Sequence, residues 1–141
     1  MLIKTQPTLE HIYAFVENDV DYINNETITF INVKDYPKIK DNKANDGNQW
    51  TWMTLVRCYF TELLPQVKKI LYLDLDIMIT KDISELWETN ITNYSVAGVV
   101  DSGVAKFNLP YIKDKTKYIN AGVLLMNLDY MRKHHIDQKI D

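Results

Sequence analysis

Cysteine is almost missing from this chain. Cys58 is the single one, so no intrachain disulfide can form and nothing marks an oxidising compartment. Glycine and proline are scarce, four of each. Gly47, Gly98, Gly103 and Gly122 are scattered, which excludes a glycine-rich phosphate loop and the dinucleotide-binding fingerprint. An excess of one charge is lacking too. Sixteen Lys and Arg against nineteen Asp and Glu leave a net charge of -3, no electrostatic footprint for nucleic acid or an anionic membrane. The longest uncharged stretch, residues 89–100, is too short and too polar to span a bilayer. Met1-Leu2-Ile3-Lys4 runs towards Pro7 without the apolar core of a secretory signal. There is no internal repeat and no low-complexity tract. A reduced, cytoplasmic protein without a transmembrane segment is the expectation.

What is present has the make-up of an ordinary domain. The 141 residues are 46% hydrophobic and 25% charged, too apolar for a disordered chain. One domain over residues 1–141 is expected. After Pro7-Thr8, residues Leu9, Ile12, Tyr13 and Val16 share one helical face and predict a helix. Residues 18–26 are polar and turn-like, and residues 27–33 are β-branched and aromatic, a predicted strand. Residues 35–47 contain Pro37 and end in Asn45-Asp46-Gly47, a predicted surface loop. A helix follows over residues 49–64, with Trp52, Val56, Tyr59 and Leu63 in one stripe and Arg57 at its edge. Pro65 stops it. Residues 69–73 read as a buried strand, 82–87 as a short helix, 94–100 as a second buried strand and 118–126 as a third apolar run. Asp129 is expected to cap a last helix that includes Tyr130, Met131 and Ile136. This alternation predicts an α/β domain with a mostly parallel sheet flanked by helices. Such sheets bind ligands beyond the carboxyl ends of their strands. Asp74, Asp76 and Asp101 all fall where strands are predicted to end.

Residues i and i+2 of a strand point to the same side, ~6.6 Å apart along the chain. Asp74 and Asp76 would then share one space, with Leu75 turned into the core. Two like charges so placed raise one pKa unless a cation lies between them. A hard divalent ion accepts carboxylate oxygens and leaves positions open for phosphate. It can then neutralise a departing diphosphate. Asp-x-Asp alone is commonly a pair of solvated turn residues. Here apolar residues flank it on both sides, Ile70 to Leu73 and Ile77 to Ile79, and burying bare carboxylates without a partner is costly.

Lys69-Ile-Leu-Tyr-Leu-Asp-Leu-Asp-Ile-Met-Ile-Thr80 resembles the DxD strand of family 8 glycosyltransferases. That family includes bacterial lipopolysaccharide galactosyl- and glucosyltransferases, glycogenin and plant galacturonosyltransferases. Three further segments match in order. Trp52-Met-Thr-Leu-Val-Arg57 is similar to a helix carrying a donor-contacting arginine. Val96-Ala-Gly-Val-Val-Asp101 is similar to a strand ending in a sugar-contacting aspartate. Tyr118-Ile-Asn-Ala-Gly-Val-Leu-Leu-Met-Asn-Leu128, followed by Arg132, is similar to the family's NAGV segment. The resemblance spans roughly residues 47–132. It implies the GT-A fold of nucleotide-diphospho-sugar transferases and a retaining hexose transfer from a nucleotide-sugar, UDP-linked, to a saccharide or lipid-linked saccharide acceptor. It implies Mn²⁺ or Mg²⁺ held by Asp74 and Asp76. Arg57, Asp74, the Leu75 backbone, Asp101, Asn120, Ala121 and Gly122 become donor contacts. Residues 120–122 add a side-chain amide and small residues that let backbone approach a ligand.

The family pattern also begins with two strands not found before Thr27, and ends in a His-x-x-Gly-x-x-Lys-Pro-Trp segment not found before Asp141. The resemblance therefore implies an incomplete domain, with no residue assigned to the chemical step. Self-association, and a peripheral membrane position for a full-length protein, are further expectations. Two other readings compete. One is a non-catalytic module of the same fold. The other is a haloacid dehalogenase-type phosphatase, disfavoured because Met78 stands where that family has Thr or Val. His134-His135 is an adjacent pair whose side chains do not face one another in a helix, so a solvated helix end outweighs a metal site. Cys58, in the middle of a predicted helix, reads as a buried or semi-exposed thiol and not a nucleophile. The tryptophans read as core, with Trp50 the one candidate for stacking on a sugar.

Overall fold

The computed structural model describes residues 12–16, 28–40, 52–103, 114, 117–136 and 138. Two units, Met1–Phe60 and Thr61–Asp141, divide the chain. In the first, β1 (Ile12–Val16) and β2 (Ile28–Asn32) pair in parallel, Ile12 opposite Ile28 and Val16 opposite Asn32. β2 lies inside its predicted strand. β1 replaces the helix expected from Leu9, Ile12, Tyr13 and Val16. Its Ile-Tyr-Ala-Phe-Val sequence is β-branched and aromatic, which suits a pleated ladder, and an apolar run this short fits either period. A strand therefore does precede Thr27. The start of that expected helix, the turn at 18–26, residues 41–47 and Trp50 lie outside the described residues.

Part of the expected loop folds as α1 (Pro37–Lys40). Pro37 suits a first helical position, where its missing N–H has no partner to lose. Tyr36 meets the Tyr59 ring edge-on at 5.8 Å, and the Tyr59 hydroxyl donates to the Lys38 carbonyl at 3.4 Å. Residues Trp52–Tyr59 form a 3-10 helix, continued by α2 (Phe60–Leu63). The helix predicted here thus exists, but most of it is the tighter three-residue coil. Val56 and Tyr59 of the expected stripe are buried, but Leu63 is half-buried and Phe60 and Leu64 take the buried places beside them.

The second unit holds β3 (Lys69–Leu73), β4 (Val96–Val100) and β5 (Ile119–Asn127) in the order β3–β5–β4. Both pairings are antiparallel, which differs from the mostly parallel sheet that alternation suggested. β5 runs backwards between two strands that share a direction. The return from β3 to β4 contains α3 (Ser84–Glu88), as a same-direction connection requires a crossover. Leu124, Leu125 and Met126 of β5 are buried in succession. Successive strand residues face opposite sides, so both faces of β5 are covered there. β4, like β3, is an edge strand of this sheet, and it is less buried than expected, with Val99 and Val100 exposed at its carboxyl end.

α4 (Leu128–Lys133) starts directly after β5. Asn127 caps it, its side-chain oxygen accepting from the Tyr130 N–H at 2.9 Å. Asp129, the expected cap, instead lies in the first turn, where a negative charge suits the helix dipole. Ile136 lies beyond the helix. The His135 N–H donates to the Arg132 carbonyl at 3.2 Å and the Ile136 N–H to the Met131 carbonyl at 3.0 Å. This is the Schellman end, with His135 at the left-handed position, φ 51°.

Two cations tie the unit together. Arg132 donates from Nε to the Thr61 carbonyl, from Nη2 to the Leu64 and Val67 carbonyls, and from Nη1 to the Val67 carbonyl and Asp129. These carbonyls belong to α2 and the turn after it, where the Leu64 carbonyl also accepts from the Val67 N–H at 3.1 Å. Lys69 Nζ donates to the Trp87 carbonyl at 2.6 Å and the Thr89 carbonyl at 3.1 Å, and lies 5.1 Å from the Trp87 ring centre. It holds the end of α3 in the same way. Trp87 thus serves the fold, but half-buried on the surface and not in the core that the sequence suggested.

Candidate functional site

The reversed direction of β5 decides what meets what. Because β5 is antiparallel to both neighbours, its first residues lie beside the last residues of β3 and β4. Residues 120–122 therefore come to the edge where Asp74 and Asp101 follow their strands. The β4 pairing breaks at this place. Gly98 is opposite Leu124, whereas Val100 is opposite Ile119, so β5 bulges outward between those pairs. On its other side β5 stays bonded to β3. Leu73 pairs with Val123, and the Asp74 N–H donates to the Gly122 carbonyl at 2.9 Å.

Asp74 is half-buried. The Tyr72 hydroxyl donates to its Oδ1. Its Oδ2 lies 3.0 Å from the point where a Cβ on Gly122 would stand, and the Asn120 Oδ1 lies 3.1 Å from that point. The absence of a side chain at Gly122 is what leaves this hollow between a carboxylate and a carboxamide. Asn120 Oδ1 also accepts from the Gly122 N–H at 2.8 Å, which fixes the amide and leaves its NH₂ as a donor. Asp101 is half-buried, its N–H donating to the Tyr118 carbonyl at 2.9 Å and its Oδ1 accepting from the Gly103 N–H at 2.8 Å.

The strand geometry expected of Asp74 and Asp76 is not the observed one. β3 ends at Leu73, and the Ile77 N–H donates back to the Asp74 carbonyl at 3.2 Å. Residues 74–77 are thus a turn, and strand alternation stops before it. The consequence for Leu75 is a correction: it is fully exposed, at 104%, and not turned into the core. Asp76 is exposed. Ala121 is exposed. Among the described residues no three His, Cys, Asp or Glu side chains form a group able to hold a metal ion.

Arg57 belongs to the other unit. It is half-buried and its Nε donates to the Thr54 carbonyl at 2.9 Å. In a three-residue coil i and i+3 eclipse, so Arg57 stands over Thr54, where a wider helix would have offset them. Next to it, burial pushes the Cys58 thiol above its ordinary pKa, with the Arg57 charge acting in the opposite sense. This is the setting of an unreactive thiol. His134 stacks on Tyr130, ring centres 4.1 Å apart, and His135 forms the helix end, so the pair is structural.

Tyr72 is the site residue that sequence reasoning missed. Its spacing two residues before Asp74 was the available signal, since i and i+2 share a side of a strand. No helix among the described residues is long and apolar enough to cross a membrane.

The sheet, its helices and the gathering of strand ends define an α/β domain of the GT-A type. The chain belongs to glycosyl transferase family 8, whose profile matches residues 2–140. It is 33% identical over 75 residues to General stress protein A of Bacillus subtilis, covering 52% of this chain and 26% of that protein. It is 33% identical over 90 residues to a putative glycosyltransferase of Haemophilus influenzae, covering 61% and 27%. In three dimensions it is similar to the galactosyltransferase LgtC in complex with donor and acceptor sugar analogues. That match has a TM-score of 0.64 at 26% identity, and covers 80% of this chain and 41% of that one. The chain thus spans about a quarter of the length of these curated relatives.

Proposed function

We propose that this chain carries the donor-binding part of a retaining glycosyltransferase, with both units belonging to one GT-A domain. The donor is a UDP-linked hexose and the acceptor a saccharide or lipid-linked saccharide. The observation that carries this reading is the meeting of Asp74 with Asn120 and Gly122 at the carboxyl edge of the sheet, beside the strand end that leads into Asp101. Ligands of open α/β sheets bind at such edges. Asp74 and Asp76 would hold a divalent ion, Mn²⁺ or Mg²⁺. Oxygen donors beside a hollow that a single Cβ would fill suit a hard cation. When bound, that ion supplies charge neutralisation for the departing diphosphate.

The remaining steps belong to the chain's own groups. Asp101 accepts hydrogen bonds from sugar hydroxyls, and the Asn120 NH₂ donates to the donor. Ala121 and Gly122 admit it close to the backbone. The exposed turn at Leu75 offers backbone to the nucleotide. Arg57 brings a planar fork of donors suited to diphosphate. Family membership sets the phosphatase reading aside.

Calorimetric titration of UDP with and without Mn²⁺ tests the proposal. Binding that requires Mn²⁺ and vanishes in Asp76→Ala is the expected result. Binding indifferent to both Mn²⁺ and Asp76 would refute it. No binding by a folded chain favours the non-catalytic module.

A further inference from the structure

Tyr72 faces the site from within β3, opposite Leu124 of β5. It is half-buried, and its hydroxyl reaches past the end of the strand to Asp74 Oδ1. The Asp74 backbone is already pinned to β5 through the Gly122 carbonyl. What the backbone does not fix is the carboxylate, because the outer torsion of an aspartate is broad. With Oδ1 engaged by the phenol, Oδ2 is the oxygen on the Gly122 side, beside Asn120 Oδ1. We propose that Tyr72 is a positioning residue, whose hydroxyl holds the Asp74 carboxylate with one oxygen presented to the hollow over Gly122. This rests on the reading of Asp74 as a ligand of the donor-site cation.

The ordering of that oxygen is done before any ligand arrives, so its entropy is not lost on binding. Hydrogen-bond partners that orient a metal ligand typically contribute about 10- to 100-fold in metal affinity.

Tyr72→Phe removes the hydroxyl and keeps the ring. Calorimetric titration of the whole chain with Mn²⁺, in the presence of UDP, gives the readout, with thermal unfolding measured in parallel. Mn²⁺ affinity about tenfold weaker, at a nearly unchanged unfolding midpoint, is the expected result. A lowered midpoint with unchanged Mn²⁺ affinity would make Tyr72 merely structural and overturn the proposal. Asp74→Asn separates the two layers. If it abolishes Mn²⁺ binding while Tyr72→Phe does nothing, the positioning role fails and Asp74 stands. If Asp74→Asn leaves Mn²⁺ binding intact, or the unaltered chain binds none, the reading of Asp74 fails and the positioning role falls with it.

Discussion

Arg132 offers the sharpest test of how the second unit is held together. All five of its N–H donors are engaged, on three backbone carbonyls and Asp129. Its side chain is 27% exposed, so water reaches part of it and the bonds do not sum. A hydrogen bond to a charged group contributes about 1.5–3 kcal/mol. With the three carbonyls partly rehydrated after truncation, Arg132→Ala should cost about 3 kcal/mol. The Asp129 contact contributes little of this. Its carboxylate is 53% exposed, and an exposed pair of this kind is worth about 0.5 kcal/mol. Arg132→Lys should recover less than half, because one ammonium cannot span three carbonyls arranged for a fork. Urea unfolding followed by circular dichroism measures each variant. The thermal midpoint should fall by about 10 °C for Arg132→Ala. A loss below about 1 kcal/mol, or full rescue by lysine, would refute the idea that the fork closes the end of α2.

Two further outcomes are expected. Gly122→Ala would place a Cβ 3.0 Å from Asp74 Oδ2 and 3.1 Å from Asn120 Oδ1. It should weaken Mn²⁺-dependent UDP binding about tenfold while costing about 1–3 kcal/mol of stability; calorimetry and a urea melt read the two separately. His135→Gly removes a left-handed side-chain conformation costing about 1–2 kcal/mol and adds about 0.5–1 kcal/mol of chain entropy. A net gain of about 0.5–1 kcal/mol in urea unfolding is expected, and any loss contradicts it.

The strand ends were legible because charge marks them. β3 matches its predicted bounds, an apolar run between Lys69 and Asp74, and β5 begins one residue from its expected start. That is why Asp74, Asp101 and residues 120–122 could be singled out. The helix expected near Val16 failed because a five-residue apolar run satisfies both periods, and only pairing with β2 decides it. Leu75 was misplaced because alternation was carried past Leu73 into a turn with no glycine or proline to announce it. The cap at Asn127 lost to Asp129 on paper since both residue types cap well; the length of β5 chooses between them. Arg132 could be noticed in sequence, but its carbonyl partners lie more than sixty positions away and no local pattern encodes them.

The direction of one strand carries most of the functional argument. Leu73 is opposite Val123 and Lys69 opposite Asn127, four residues apart, or ~13 Å along the sheet. A parallel β5 in the same place would put residues 120–122 at the Lys69 end, that far from Asp74 or further. A parallel β5 would thus have separated the residues that the motifs mark. Reversal also divides the labour of two asparagines on the same strand. Asn120, at the start, turns its oxygen onto the Gly122 N–H at 2.8 Å and shapes the hollow. Asn127, at the end, caps α4 and donates to the Ile91 carbonyl at 3.1 Å. The edge proposed for donor binding and the structural edge are therefore opposite ends of β5, and substitutions at one should leave the other intact.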